Sequence, residues 1–170
     1  MKRPLARVEN DSQLEPNSLI QMTLFQPDIP QNTGAVLRLG ACLGVQVHII
    51  EPCGFLWDDK RLKRAGMDYT DVVNLTRHSS WTTFQSSRQD YSGRVVLFTT
   101  KADTAHHTFS YQPNDMLLFG QESGGVPDNV HAAADHRVRI PMSPHSRSLN
   151  LAQAAAIGLS EALRQTSAWP

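Results

Sequence analysis

Short runs of apolar residues alternate along the chain with segments in which apolar residues recur every three or four positions. Such runs predict buried strands, and the segments between them predict amphipathic helices. Strands that alternate with helices are typical of an α/β protein with a mainly parallel sheet flanked by helices. We predict strands at residues 19–25, 45–50, 71–75, 94–98, 116–119 and 138–140, and helices at 31–43, 57–65, 80–88, 127–134 and 148–165.

The last predicted strand and the last predicted helix are joined by a short loop that contains two prolines. Pro141 cannot donate to a sheet, so it ends the strand. Ser148 is a suitable N-cap for the helix. A strand, a tight loop and a helix whose backbone amides face a crevice form a common ligand site in α/β proteins, although an ordinary strand–helix connection has the same pattern.

The domain organisation predicted from the sequence is simple. Residues 1–17 are polar and show neither the helical nor the strand periodicity, which predicts a flexible N-terminal tail. Residues 18–170 have the size of one domain. We find no apolar run of membrane-spanning length and no signal-peptide pattern, so we expect a cytoplasmic protein without membrane contact. Cys42 and Cys53 are too few for a disulfide framework or a zinc cluster, and we expect reduced packing residues.

The net charge is zero, so binding of a nucleic acid would require a local basic patch. Four basic residues fall within five positions and, at about 100° per residue, share an arc of about 160° on a helix. This face could bind a phosphate backbone. The alternative is a solvated face neutralised by Asp58 and Asp59. The four residues are Lys60, Arg61, Lys63 and Arg64.

Arg38 is the one charged residue between Thr33 and Val45, in a segment that is otherwise mostly apolar. A buried guanidinium needs a carboxylate or phosphate partner, and Glu122 is a candidate. The alternative is an arginine whose charged end reaches solvent at the edge of the helix.

Glycines at 120, 124 and 125 bracket Glu122 directly after a predicted strand. They permit positive φ and a close approach of the backbone to a ligand. Their spacing matches neither the dinucleotide fingerprint nor the P-loop, so the loop is a generic ligand loop. The seven histidines lack metal-ligand spacing, and no G-x-S-x-G motif suggests a serine hydrolase.

Three stretches together resemble the signature motifs of the SpoU group of SPOUT RNA 2′-O-methyltransferases. They are residues 30–38 (PQNTGAVLR), 118–127 (LFGQESGGVP), and 140–142 with 147–151 (IPM and RSLNL). Residues 49–69 further resemble the small single-domain members that methylate the wobble ribose of certain tRNAs. The resemblance covers residues 20–166.

The resemblance implies a SPOUT fold with a deep C-terminal trefoil knot, an obligate homodimer whose active site uses both chains, and S-adenosylmethionine as cofactor without a metal. By analogy, the cofactor would be bound by Phe98, Gly120, Ile140, Ser148 and Leu149. The implied catalytic residues are Arg38, Asn32, Glu122 and Asn150.

The function implied by the resemblance is 2′-O-methylation of the wobble nucleotide, a cytidine or modified uridine, in tRNA. Arginine hardly deprotonates, so Arg38 is better suited to orient the ribose and its phosphate than to act as a base. Two alternatives stay open: methylation of another tRNA or rRNA ribose, and a catalytically idle RNA-binding dimer.

Overall fold

A computed structural model describes residues 19–58, 60 and 73–170. The described chain contains six strands that form one sheet in the order β3-β2-β1-β5-β4-β6, with every pairing parallel. The strands are β1 (Gln21–Phe25), β2 (Val47–Ile50), β3 (Leu75–His78), β4 (Val95–Phe98), β5 (Met116–Phe119) and β6 (His136–Val138). The described helices are α1 (Pro30–Leu43), α2 (Trp81–Ser87), α3 (Asp128–Ala133) and α4 (Leu151–Thr166), with a 3₁₀ turn at Arg88–Asp90.

The sheet divides the core into two apolar clusters. Since successive side chains of a strand point to opposite faces, Leu24 belongs to one cluster and Phe25 to the other. The helices α1 and α4 cover the first face, and α2 and α3 cover the second. The central strands β1 and β5 are buried throughout because they are covered on both faces.

Most of the predicted elements are confirmed within the described residues. Gly44 ends α1 in the left-handed conformation, with φ +65°, which glycine adopts without strain. Ser80 caps α2 by accepting a hydrogen bond from the Thr83 amide at 3.1 Å. The predicted mainly parallel α/β fold is therefore confirmed, while the trefoil knot stays a prediction of the resemblance.

Three predicted boundaries are wrong. The strand placed at 71–75 is observed at Leu75–His78, since this edge strand pairs with β2 alone and has polar residues that hide its pattern. The final strand stops at Val138, and Arg139 instead forms an isolated bridge with Ala105. The N-cap of α4 is Asn150, not Ser148. The predicted tail (1–17) and most of the helix predicted at 57–65 lie outside the described residues.

Two polar clusters contact the sheet, one buried and one partly buried. Nε2 of His48 lies 2.9 Å from Oε1 of Gln21, and Nδ1 of His48 lies 2.9 Å from Nε2 of His78. Burial and the neighbouring His78 lower the pKa of His48 to about 4, and burial also lowers the pKa of His78. In the second cluster, the guanidinium of Arg94 donates from Nε and Nη2 to the buried Asp115 carboxylate, both at 2.8 Å.

Candidate active site

Strands β1, β4 and β5 all end at one edge of the sheet, and their following loops surround a cavity of about 480 Å³. In parallel α/β sheets, ligands bind in the crevice outside this carboxyl edge. The cavity is lined by residues 97–101, 119–126, 140, 142 and 147–151, together with Ile29, Asn32, His131 and Ala154. The volume lies within the usual range for small-molecule sites.

Glu122 connects the loop after β5 to the beginning of α1. Its carboxylate accepts hydrogen bonds from the backbone amides of Asp28 at 2.8 Å and Ile29 at 3.3 Å, and from Nδ2 of Asn32 at 3.1 Å. Ile29 is the N-cap of α1 and has no side-chain oxygen to cap the helix. A carboxylate is favoured there because the N-terminus of a helix is partially positive.

Asn32 and Asn150 extend this network to α4. Nδ2 of Asn150 donates to Oδ1 of Asn32 at 2.8 Å, while Oδ1 of Asn150 accepts from the Ala152 amide at 2.9 Å. An ionised carboxylate only accepts, so Nδ2 of Asn32 must face Glu122, and its oxygen is left for Asn150. Three of the four predicted catalytic residues thus form one chain of hydrogen bonds.

The glycine-rich loop after β5 positions Glu122 by folding tightly back on itself. The amide of Gln121 donates to the carbonyl of Gly125 at 2.8 Å, and the reverse bond measures 2.9 Å. Gly125 has φ +66°, and a Cβ on Gly120 would lie 2.5 Å from the Gly125 carbonyl carbon. Glycine is therefore required at both positions for this turn.

A further contact holds the same loop against the segment between β1 and α1. The carboxylate of Asp28 accepts hydrogen bonds from the backbone amide and the hydroxyl of Ser123. Asp28 and Glu122 consequently bind each other's backbone segments, which fixes the loop relative to the start of α1.

Arg38 does not lie where the sequence suggested. It is an exposed residue of α1 outside the lining of the cavity, and Glu122 is bonded to Asn32 and to backbone amides rather than to Arg38. Arg38 follows Asn32 by six residues, which on a helix rotates it by about 240° and moves it by about 9 Å along the axis. The prediction that Glu122 is the partner of Arg38 is therefore wrong.

All five predicted cofactor-binding residues line the cavity. Phe98 stacks on Phe119 with ring centroids 4.8 Å apart, and Gly158 of α4 lies directly against the Phe98 ring. Ser148 is an exposed lining residue of the loop before α4. The remaining members are Gly120, Ile140 and Leu149.

Three chemically active lining residues escaped the sequence prediction: Lys101, His131 and Arg147. Lys101 follows the end of β4, and Arg147 precedes the N-cap of α4. Such positions are common at ligand sites, so the sequence could have indicated both residues. His131 gave no such signal. Its Nδ1 accepts from Nε of Arg137 at 3.2 Å, and its buried Nε2 has no hydrogen-bond partner in the described structure.

The predicted basic face lies largely outside the described residues. Lys60 is described and exposed, and its backbone amide donates to the Asp58 carboxylate at 2.9 Å. Arg61, Lys63 and Arg64 fall among residues 61–72, which the structure does not describe.

Among the described residues, no group of three or more histidine, cysteine or acidic side chains could hold a metal ion. Cys42 is exposed, which contradicts the packing role predicted for it, whereas Cys53 is half-buried against the core. Burial, with the nearby Glu51 carboxylate as the next cause, raises the pKa of the Cys53 thiol to about 11. None of the described helices is long and apolar enough to span a membrane.

The fold and the cavity define a parallel-sheet α/β protein with a ligand site at the carboxyl edge and an asparagine–glutamate network beside it. Residues 20–160 match the SpoU rRNA methylase family, and the chain belongs to that family. It is 54% identical over 147 residues to a tRNA (cytidine(34)-2'-O)-methyltransferase of Beijerinckia indica subsp. indica, covering 86% of this chain and 92% of the relative.

Two further comparisons agree. The enzyme of the same name from Escherichia coli is 44% identical over 149 residues, with 86% of this chain and 94% of the relative covered. A solved structure described as giving structural insights into the 2-OH methylation of C/U34 on tRNA superposes with a TM-score of 0.80 at 40% identity. That superposition covers 88% of this chain and 97% of the other.

Proposed function

We propose that this protein transfers the methyl group of S-adenosylmethionine to the 2′-hydroxyl of the wobble ribose in tRNA. The observation that carries the proposal is the hydrogen-bonded chain Glu122–Asn32–Asn150 beside the cavity. The relatives named for methylation of cytidine 34 support the same substrate, since they align with nearly nine-tenths of the chain.

The cavity fits the cofactor in size and chemistry. It combines apolar side chains such as Ile140 and Leu149 with backbone groups at strand ends, which suit an adenosine. Nε2 of His131, which has no hydrogen-bond partner among the described residues, is a further polar atom that could bind a ligand. The five lining residues Phe98, Gly120, Ile140, Ser148 and Leu149 would hold the cofactor. When bound, it supplies a methyl group activated by a sulfonium, a leaving group good enough that we expect no metal requirement.

The residues around the cavity would contribute positioning. Asn150 is held by α4 through Oδ1 and by Asn32 through Nδ2, so both amides are fixed before substrate binds. Such preorganised polar groups can orient a ribose without reorganising during the reaction. Asn32 and Asn150 would hold the ribose so that its 2′-oxygen faces the methyl group that the cofactor would supply, and the hydroxyl proton would be released to water.

We assign Arg38 to the orientation of the ribose hydroxyl and its neighbouring phosphate, acting in the cavity of a partner subunit. Its exposed position on α1, away from the cavity of its own chain, supports this arrangement. A guanidinium binds phosphate through two parallel hydrogen bonds and keeps its proton at any physiological pH.

The homodimer would use the outer surfaces of α1 and α4. Ile157 of α4 is a large apolar residue that is 38% exposed, whereas Ala155 is fully buried in the core of its own chain. A substitution that tests the dimer should therefore be made at Ile157. We expect Ile157→Glu to give monomers in sedimentation velocity, while Ala132→Glu, on the exposed surface of α3, should leave the dimer intact. A wild-type monomer at micromolar concentration would contradict the homodimer.

The basic residues Lys60, Arg61, Lys63 and Arg64 complete the proposal as a surface for the tRNA backbone. The double variant Lys60→Ala with Arg64→Ala should weaken tRNA binding and reduce its salt dependence, with cofactor affinity unchanged. We propose that the protein works in the cytoplasm, with tRNA as its partner.

Nucleoside mass spectrometry of tRNA from a strain lacking the gene tests the proposed function. We expect the 2′-O-methylated wobble nucleoside to disappear and to return with the intact gene. Loss of a methylated ribose from ribosomal RNA instead would favour the rRNA substrate suggested by the family description. An unchanged set of methylated nucleosides would favour an idle RNA-binding protein.

A further inference from the structure

Two cations line the cavity without an assigned role. Lys101 lies three residues after β4 ends, and Arg147 lies three residues before Asn150. Both are exposed, and within the described part of the chain neither side chain makes an ion pair or a hydrogen bond. They come from two different loops of the cavity.

The charge around the cavity is not balanced by the protein. Among the lining residues that the structure describes, Glu122 is the single acidic side chain. Its carboxylate already accepts three hydrogen bonds from the start of α1. Lys101 and Arg147 are therefore not paired with Glu122, and the lining carries a net positive charge that an oxyanion brought by a ligand would balance.

We propose that Arg147, assisted by Lys101, binds a phosphate of the tRNA that flanks the methylated ribose. This inference rests on the proposed function. Arg147 is within three residues of Asn150, so it belongs to the part of the cavity where the asparagine–glutamate network lies. The phosphates on either side of a ribose are also its nearest charged groups, and the planar guanidinium matches their geometry.

Arg147 is a positioning residue in this arrangement, distinct from Arg38. Arg38 lies on α1 outside the cavity of its own chain, whereas Arg147 is the guanidinium that the chain places at its own cavity. Fixing one flanking phosphate would limit the rotation of the target nucleotide and hold its 2′-oxygen toward the methyl group.

A cycle of protein and RNA changes tests the contact. The substrates are an anticodon stem-loop and two versions in which an uncharged methylphosphonate replaces the phosphate on the 5′ or the 3′ side of the target nucleotide. For the wild type, one methylphosphonate should lower kcat/KM by about tenfold or more, as expected for a lost charge-assisted contact. Arg147→Gln should lower kcat/KM on the unmodified RNA by a similar factor. For this variant, the methylphosphonate should lower kcat/KM by less than about a further twofold.

Lys101→Met should also become less sensitive to the methylphosphonate, but to a smaller extent than Arg147→Gln. The reason is that the lysine ammonium is a point charge and lacks the planar fork of arginine. Arg139→Gln, an exposed arginine outside the cavity lining, is the matched control and should keep the sensitivity of the wild type. If a thermal melt shows that Arg147→Gln is not folded, Arg147→Lys replaces it. That variant should retain only part of the wild-type sensitivity to the methylphosphonate.

The same variants separate the phosphate from the carboxylate of the cofactor. Calorimetry should give unchanged affinity of Arg147→Gln for S-adenosylhomocysteine and for 5′-methylthioadenosine, which lacks the carboxylate. Weakened binding of S-adenosylhomocysteine alone would overturn the proposal. It would also be overturned if the loss in kcat/KM caused by Arg147→Gln and the loss caused by the methylphosphonate simply multiplied in the combination. A wild type that does not methylate any tRNA would overturn the proposed function together with this contact, whereas an active wild type with independent losses would overturn the contact alone.

Discussion

Replacing Asn150 separates two structural roles that one side chain performs. Its Oδ1 caps α4 by accepting from the amides of Ala152 and Gln153, and its Nδ2 donates to Asn32. Asn150→Ala removes both interactions. Asn150→Asp keeps the capping oxygen but replaces the donor with a second acceptor that faces the oxygen of Asn32.

The magnitudes follow from these contacts. Loss of an N-cap costs about 1 kcal/mol, and loss of an exposed amide–amide hydrogen bond costs about 0.5 kcal/mol. Asn150→Ala should therefore lower the free energy of unfolding by about 1–2 kcal/mol, or Tm by about 3–6 °C for a domain of this size. In Asn150→Asp the added negative charge at the start of α4 offsets the lost bond, so its stability should stay within about 0.5 kcal/mol of the wild type.

Activity should respond differently from stability. Both variants remove the hydrogen bond to Oδ1 of Asn32, so each should slow single-turnover methyl transfer by about tenfold or more, equivalent to about 1.4 kcal/mol of barrier. Thermal melts and single-turnover assays at saturating cofactor measure the two effects on the same preparations. Full activity in Asn150→Asp, or equal destabilisation by both substitutions, would refute the separate roles.

Three further perturbations test other parts of the structure. Arg38→Ala should slow methyl transfer by about a hundredfold, roughly 2.7 kcal/mol, with little rescue by Arg38→Lys in the same assay; near-normal turnover by the folded alanine variant would remove Arg38 from the mechanism. Gly158→Ala places a Cβ 2.6 Å from the Phe98 ring, so calorimetry should show weaker cofactor binding as the ring shifts into the cavity; unchanged affinity would contradict this. His48 and His78 have lowered pKa values, so their neutral forms stabilise the fold above about pH 6.5 and that contribution is lost as the pH falls toward 4; denaturant midpoints that stay constant across this range would contradict the buried pair.

The sequence predicted the fold where local pattern and tertiary burial agree. Strands β1, β4 and β5 are apolar runs because they are central and covered on both faces, and each was placed to within two residues. The edge strand β3 carries Thr76 and Arg77, so its burial is partial and its pattern was lost. Ser148 and Asn150 both suit an N-cap, so local preference does not decide which of them begins α4.

The predicted site residues Asn32, Glu122 and Asn150 lie close together in the structure, but their contacts could not be predicted from the sequence. Resemblance to a family predicts all three residues, and the structure joins them in one hydrogen-bonded network. The sequence suggests Glu122 as a partner of Arg38 because Arg38 is the single charge in an apolar segment. In the described structure, the Glu122 carboxylate instead accepts hydrogen bonds from backbone amides at the start of α1. Hydrogen bonds of this kind depend on tertiary geometry and leave no trace in residue spacing.

Methylation of the wobble ribose can be tested by comparing two RNAs that differ in one hydroxyl group. The purified protein would be incubated with radiolabelled S-adenosylmethionine and an anticodon stem-loop, and with a matched stem-loop that carries a 2′-deoxy sugar at the wobble nucleotide alone. We expect label in the first RNA, located at the wobble 2′-oxygen by mass spectrometry, and none in the second. Equal labelling of both RNAs, or methylation at any other position, would show that the wobble 2′-hydroxyl is not the methyl acceptor.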